Sequence, residues 1–396
     1  MTHFYRLFMC ICFAWYSQTS IAIQVIPKGL DTTPPESIEI SEEAFRENFT
    51  KAVSEYRNTL RQYWPDAEIS SRTRLVMYAD DYQKKQAIDF KANELQITMA
   101  SIRQGKVLNY RAMQEALNDT IQAILTLDLQ TAIANDPINQ KMEQLSGIRY
   151  ASDLGAMGRD LILSELFPNE RPSIKAIERM ASKLTKEAYI RYPAVASTQL
   201  TFIMQDRTTY IVPLPEKRIR KRARRYKPFI YEYAQQYSLP PSLVFAVIHA
   251  ESSFNPLARS QIPAFGLMQI VPHTAGKDAT KLVYSRSRVL SPSYLYNPQK
   301  NVRIGAAYLH LLYYRYLSEI QDPKTRIYCA IAAYNAGLSS VMRTLTGVPS
   351  INRATDAINR MDSNQVLRTL VRQMPSAETR EYLSKVLKLQ KTYGNI

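Results

Sequence analysis

The sequence predicts an α+β N-terminal domain followed by an all-α domain. Three observations carry this. Up to about residue 215, apolar residues switch between helical spacing and strict alternation. Pro213, Pro215 and a dense basic run then interrupt the chain. Beyond Pro228 the spacing is helical throughout. The length of 396 residues suits two domains, and 45% apolar with 22% charged residues is ordinary globular composition.

The first segment reads as an address. Arg6 precedes an apolar run of ten residues, Leu7–Tyr16, and Ser20-Ile21-Ala22 supplies small residues where a signal peptidase cuts. Ten residues are too few to cross a bilayer, which takes ~20. Residues 1–22 are therefore expected to be a cleaved export signal that directs the protein to the periplasm, with outer-membrane association open. Leu7-Phe8-Met9 before Cys10 is too bulky for a lipidation signal. Of the three cysteines, Cys10 and Cys12 fall in this leader and only Cys329 remains. That excludes a disulfide scaffold. Four scattered histidines make a metal site unexpected, and no cofactor is predicted.

Residues 23–215 should form the α+β domain. A proline-containing lead-in precedes a helix over Ser41–Tyr63, with Phe45, Phe49, Val53 and Leu60 on one side. Alternation predicts strands over Thr73–Tyr78 and Ala87–Met99, with a turn at Asn93. Helices are expected over Tyr110–Ala134 and Ile174–Tyr189, then a hairpin of Leu200–Met204 with Tyr210–Val212. No catalytic pattern stands out in this half.

Residues 216–227 form a basic connector, with eight positive charges between Lys217 and Lys227. It reads either as a solvated helix face or as a contact with a membrane surface or other anion. No nucleic-acid-binding module surrounds it, so nucleic acid is not an expected partner.

Residues 228–396 carry the chemistry. Ser238, Pro240 and Pro241 signal a helix start, with Ser238 as cap. The following Leu243–Ile248 run is apolar on every side, which marks a buried helix. Glu251 stands at its end, and Pro256 stops it soon afterwards. A carboxyl buried there has its pKa raised, which suits a general acid for glycosidic cleavage. The alternative is a Glu that only satisfies turn donors. No second carboxylate accompanies Glu251 locally, so a two-carboxylate glycosidase is disfavoured. His249 is on another helix face and reads as packing. Two more clusters follow. In Gly266-Leu267-Met268-Gln269 the glycine permits close backbone approach and the glutamine can meet a sugar amide or hydroxyl. In Ala333-Tyr334-Asn335-Ala336-Gly337 a helix runs into a glycine stop.

The run Glu251-Ser252-Ser253-Phe254-Asn255-Pro256, followed by Gly266–Gln269 and Ala333–Gly337, resembles the lytic transglycosylases with a goose-type-lysozyme-like catalytic domain. The resemblance covers Pro228 to the C-terminus. His273–Asp278 and Pro375–Leu383 are similar to a membrane-bound subgroup of that family, and residues ~40–215 are more loosely similar to its N-terminal domain. The resemblance implies a lysozyme-like fold, peptidoglycan strands as substrate and Glu251 as the catalytic acid and then base. It implies substrate-site roles for Gln269 and Tyr334 at the sugar, Ser252 beside the acid, Met268 and Asn335 shaping the pocket, and Tyr382 entering from the C-terminal helix. The implied product is a 1,6-anhydromuramyl end. A hydrolytic muramidase or a silent wall-binding protein is the alternative. The net charge of +16 agrees with an anionic polymer but suits many anions.

Overall fold

The computed structural model describes residues 37–104, 107–147, 154–169, 171–191, 207–215 and 218–394. The leader and the expected strand at 200–204 lie outside the described residues. From Pro34 onward the chain forms one compact unit, so the two halves meet without a gap between them.

The N-terminal half is built on a five-stranded antiparallel sheet. The helix α1 (Glu42–Arg61) comes first, capped by Ser41 Oγ on the Ala44 amide. The strands β1 (Arg74–Ala79), β2 (Lys84–Asp89) and β3 (Glu94–Ala100) follow as a meander, and Asn93 takes the left-handed turn conformation (φ 62°). A short hairpin of β4 (Arg103–Gln104) and β5 (Val107–Leu108) stands apart. The sheet is completed by β6 (Tyr189–Arg191) and β7 (Arg207–Pro213), in the order β1-β2-β3-β7-β6. β7 therefore pairs with β3 on one side and β6 on the other.

One helix was expected over Tyr110–Ala134; there are two, with a third beyond. They are α2 (Tyr110–Leu125), α3 (Leu129–Ala134) and α4 (Pro137–Ser146). The chain breaks after Leu125 because residues 127–129 pair with 160–162, through Ile162 N–H to Leu127 O and Leu129 N–H to Asp160 O. Asp128 then caps α3 on the Thr131 amide. The next helix, α5 (Ile174–Glu187), ends two residues before its expected limit.

The C-terminal half is helical: α6 (Arg218–Arg225), α7 (Lys227–Gln236), α8 (Pro241–Ser252), α9 (Lys277–Tyr284), α10 (Pro292–Tyr296), α11 (Pro298–His310), α12 (Pro323–Ala336), α13 (Leu338–Thr346), α14 (Ile351–Asn359), α15 (Ser363–Gln373) and α16 (Ala377–Thr392). Its centre is α8, whose apolar run is buried on every side and which packs along α16. The expected Ser238 cap is not formed. Ser238 adopts φ 54° in the preceding turn, its carbonyl accepts from the Tyr314 hydroxyl, and Pro240 starts the helix.

The basic connector is only in part the solvated helix face that was one reading of it. Arg218 and Arg222 of α6 are buried, pairing with Glu165, and Arg225 pairs with Asp160. The Arg222 guanidinium also donates to Ser253 O (2.8 Å) and Phe90 O (2.9 Å). Buried charge needs such partners, because an unpaired one would cost several kcal/mol. Much of this basic run is thus an internal fastener, with Arg220, Lys221 and Arg224 left exposed. Phe45 and Phe49 of α1 add edge-on contacts to Phe265 across the same junction. Burying each phenyl contributes about 1.5–3 kcal/mol.

Candidate active site

Glu251 lies on the last turn of α8, which ends where Ser253 turns left-handed (φ 52°). Its side chain is 5% exposed and borders a cleft of about 1260 Å³. Both halves line this cleft: α1 and the segment 65–72 on one side, Glu251, Gln269, Tyr334 and Asn335 on the other. Burial holds the Glu251 carboxyl up at about 7. The buried Tyr382 hydroxyl and Arg72 draw it down, Glu378 raises it, and Lys385 lowers it a little. Burial wins because the charged form loses its water and none of these neighbours restores it fully.

Arg72 could not be foreseen. Its guanidinium stands 3.8 Å from Glu251 Oε2 and 2.6 Å from Glu378 Oε1. Asn255, inside the first motif, donates to Arg72 O (3.2 Å), so the motif holds the segment that brings this arginine. Glu378, on α16, is the second carboxylate near the site that the local sequence did not offer. Lys385 of the same helix donates to Ala250 O (3.0 Å). His249 packs as expected: its Nδ1 meets the Tyr393 hydroxyl at 2.9 Å, and burial pushes its pKa down to about 4.

The Gly266–Gln269 turn is clamped from three helices. Ser252 Oγ of α8 donates to Leu267 O (2.8 Å), Asn301 Oδ1 of α11 accepts from Met268 N–H (2.8 Å), and the Tyr334 hydroxyl of α12 donates to Met268 O (2.8 Å). Gly266 has φ 75°, and a Cβ there would lie 2.2 Å from Leu295 O. Gly305 on α11 leaves room for Met268, whose sulfur would be 2.3 Å from an added Cβ. At the end of this turn Gln269 donates to Gly266 O (3.0 Å), and its Oε1 has no partner among the described residues. Asn335 Oδ1 accepts from Thr379 Oγ1 (2.7 Å), which orients the amide at the cleft wall.

Of the expected site residues, Glu251, Gln269, Tyr334 and Asn335 converge on the cleft. Ser252 and Met268 are fully buried and form the frame behind it, so they cannot meet substrate as the structure stands. Tyr382 does not enter the cleft; it is 4% exposed and packs behind the Glu251 carboxyl. Asn301 was missed: it stands between Lys300 and Arg303 in the sequence, so nothing local marks its amide as buried and serving the backbone.

A relative from Pectobacterium atrosepticum, named membrane-bound lytic murein transglycosylase C, is 31% identical over 347 residues, which is 87% of this chain and 90% of that one. The chain belongs to the membrane-bound lytic murein transglycosylase C family. The family model described as Transglycosylase SLT domain matches residues 228–355. An Actinobacillus succinogenes relative of the same name is 45% identical over 175 residues, 44% of this chain and 48% of that one. A crystal structure of the lytic transglycosylase Slt from Pseudomonas aeruginosa aligns over 72% of this chain and 45% of that chain, at 20% identity and a TM-score of 0.35, too low to carry an argument. Among the described residues no helix is long and apolar enough to cross a membrane, and no group of His, Cys, Asp and Glu has the arrangement of a metal site.

Proposed function

We propose that this lytic transglycosylase cleaves the β-1,4 bond between N-acetylmuramic acid and N-acetylglucosamine in peptidoglycan, and that Glu251 is its single acid–base group. The observation that carries the reading is a buried carboxyl held near 7 beside a cleft. Protonated, Glu251 gives its proton to the glycosidic oxygen and the C1–O bond breaks. The 6-hydroxyl of the same muramic acid attacks C1. The Glu251 carboxylate then takes the 6-hydroxyl proton and is ready for the next turn. No water is consumed, and the product carries a 1,6-anhydro ring. An attacking group already in the substrate gains from proximity, so no protein nucleophile is required. Glu378 does not contradict this. It is 53% exposed and engaged by Arg72, which suits a charge-setting role rather than a nucleophile. The Asn335 amide at the cleft wall suits a sugar's acetamido and hydroxyl groups. We place the protein in the envelope, exported by residues 1–22, where the murein it would act on lies.

The test is mass spectrometry of fragments released from purified peptidoglycan by the wild type and by Glu251→Gln. Anhydro products, one water lighter than reducing-end products, should come from the wild type and be lost in the variant. Reducing-end products would make the enzyme a hydrolase. Undiminished release by Glu251→Gln would remove Glu251 from its role.

A further inference from the structure

Four arginines and four carboxylates line the cleft, but they are not all paired with one another, and the unpaired cations fall in one place. Asp66 and Glu68 are neutralised from within the N-terminal half, by Lys85 (2.5 and 3.4 Å) and by Arg74 (2.7 Å to Glu68). Arg259 is committed to Asp136 (3.0 Å), and Arg72 to Glu378 and Glu251. Two lining cations remain without a carboxylate partner among the described residues: Arg57, half-buried, and Arg61, whose guanidinium donates to the Asn58 side chain (3.0 Å).

Both belong to α1 and stand four residues apart. The α1 residues that line the cleft are Phe49, Thr50, Val53, Arg57 and Arg61, one face of one helix. From Phe49 to Arg61 that face runs roughly 18 Å at 1.5 Å per residue. Its first part is apolar and partly seated on Phe265; its last part is basic. Like charges at this spacing repel, which offsets the favourable placement of Arg61 in the last turn of α1. The one anion close on this helix, Glu55, is taken by Lys141 (2.8 Å).

We infer that Arg57 and Arg61 form a carboxylate-binding subsite for the peptide stems of the glycan strand, so that the N-terminal half selects stem-bearing over bare strands. The inference rests on the substrate proposed above. Stem peptides carry free carboxylates held out from the sugars, whereas a strand stripped by an amidase keeps only the lactyl carboxylate of each muramic acid, directly on the ring beside the scissile bond. A guanidinium fork matches a carboxylate with two parallel hydrogen bonds, and two such groups on one face give a stem a fixed direction away from the acid.

The experiment compares kcat/KM on intact peptidoglycan with kcat/KM on the same strands stripped of stems by an amidase. It uses the full-length wild type, the charge-removing Arg57→Gln/Arg61→Gln double variant, and Arg57→Lys/Arg61→Lys. The stem-bearing to bare ratio should fall about ten-fold in the glutamine variant, the size expected for two partly exposed ion pairs. The lysine variant should recover most of the ratio. Thermal unfolding of all three proteins should stay within a few degrees, because Arg61 is exposed and Arg57 only half-buried. A ratio unchanged by the glutamine variant, or equal losses on both substrates, would overturn the subsite while leaving the function intact. A wild type that cleaves neither substrate would remove the proposed function and this inference with it.

Discussion

Substituting Glu251 by Gln should make the protein more stable at alkaline pH, because the site that raises the carboxyl pKa does so at the expense of the fold. In the folded state Glu251 titrates at about 7, against an ordinary 4.5. The folded protein thus holds this proton more tightly than the unfolded chain does. Below pH 4.5 both states are protonated and Glu251 causes no penalty. As pH rises from 4.5 towards 7, the unfolded chain ionises first and stability is lost. Above 7 the loss is complete, at roughly 3 kcal/mol, since each pH unit between the two values is worth about 1.4 kcal/mol. Gln has nearly the same shape and no charge, so it escapes the penalty. The assay is denaturant unfolding of wild type and variant at pH 5 and pH 8.5. The stability difference should move by up to about 3 kcal/mol in favour of Gln between the two. A difference that stays the same at both pH values would refute the argument, because it would mean that Glu251 is not held protonated by burial.

On the proposed mechanism the same titration sets the rate. With the acid form required and the pKa near 7, kcat/KM should fall along an alkaline limb centred close to pH 7, losing about ten-fold per pH unit beyond it; a profile flat from pH 6 to 8.5 would count against Glu251 as the acid. Asn301→Leu removes the acceptor for Met268 N–H and the donors to Phe265 O and Leu295 O. Leaving those buried groups unpaired should cost about 3 kcal/mol or more in urea unfolding, with activity reduced because the Gln269 turn loses a clamp.

Local sequence reached the parts of the site that are local. The helix that buries Glu251, the glycine turn before Gln269 and the glycine stop after Asn335 all depend on residues a few positions apart, and the structure has each of them. Arg72 was illegible because it precedes Glu251 by well over a hundred residues and its approach depends on Asn255 holding its backbone. The inward turn of Arg218 and Arg222 was illegible for a related reason. A basic run reads as solvated until Glu165 is known to face it, and nothing near Glu165 in the sequence announces that. The break after Leu125 follows the same pattern. Helical spacing continued to Ala134, but pairing with residues 160–162 offered the backbone other partners.

These distant residues bear on the chemistry. A carboxyl at the end of a helix, open to water on one side, would titrate near its ordinary value. Here the segment that ends at Arg72 lines the cleft side, and it brings both a screen against solvent and a positive charge. The two act in opposite directions on Glu251: burial raises its pKa and the guanidinium lowers it. Burial is the larger, so a large share of the carboxyl keeps its proton near neutrality. The guanidinium gains importance only after the proton has left, when a carboxylate 3.8 Å away needs a partner to avoid taking the proton back too early. Glu378, bonded to the same arginine, keeps that attraction from pulling the acid below its working range. On the proposed mechanism, the N-terminal half, which showed no catalytic pattern of its own, thereby sets the balance between the acid and base states of a residue in the other half.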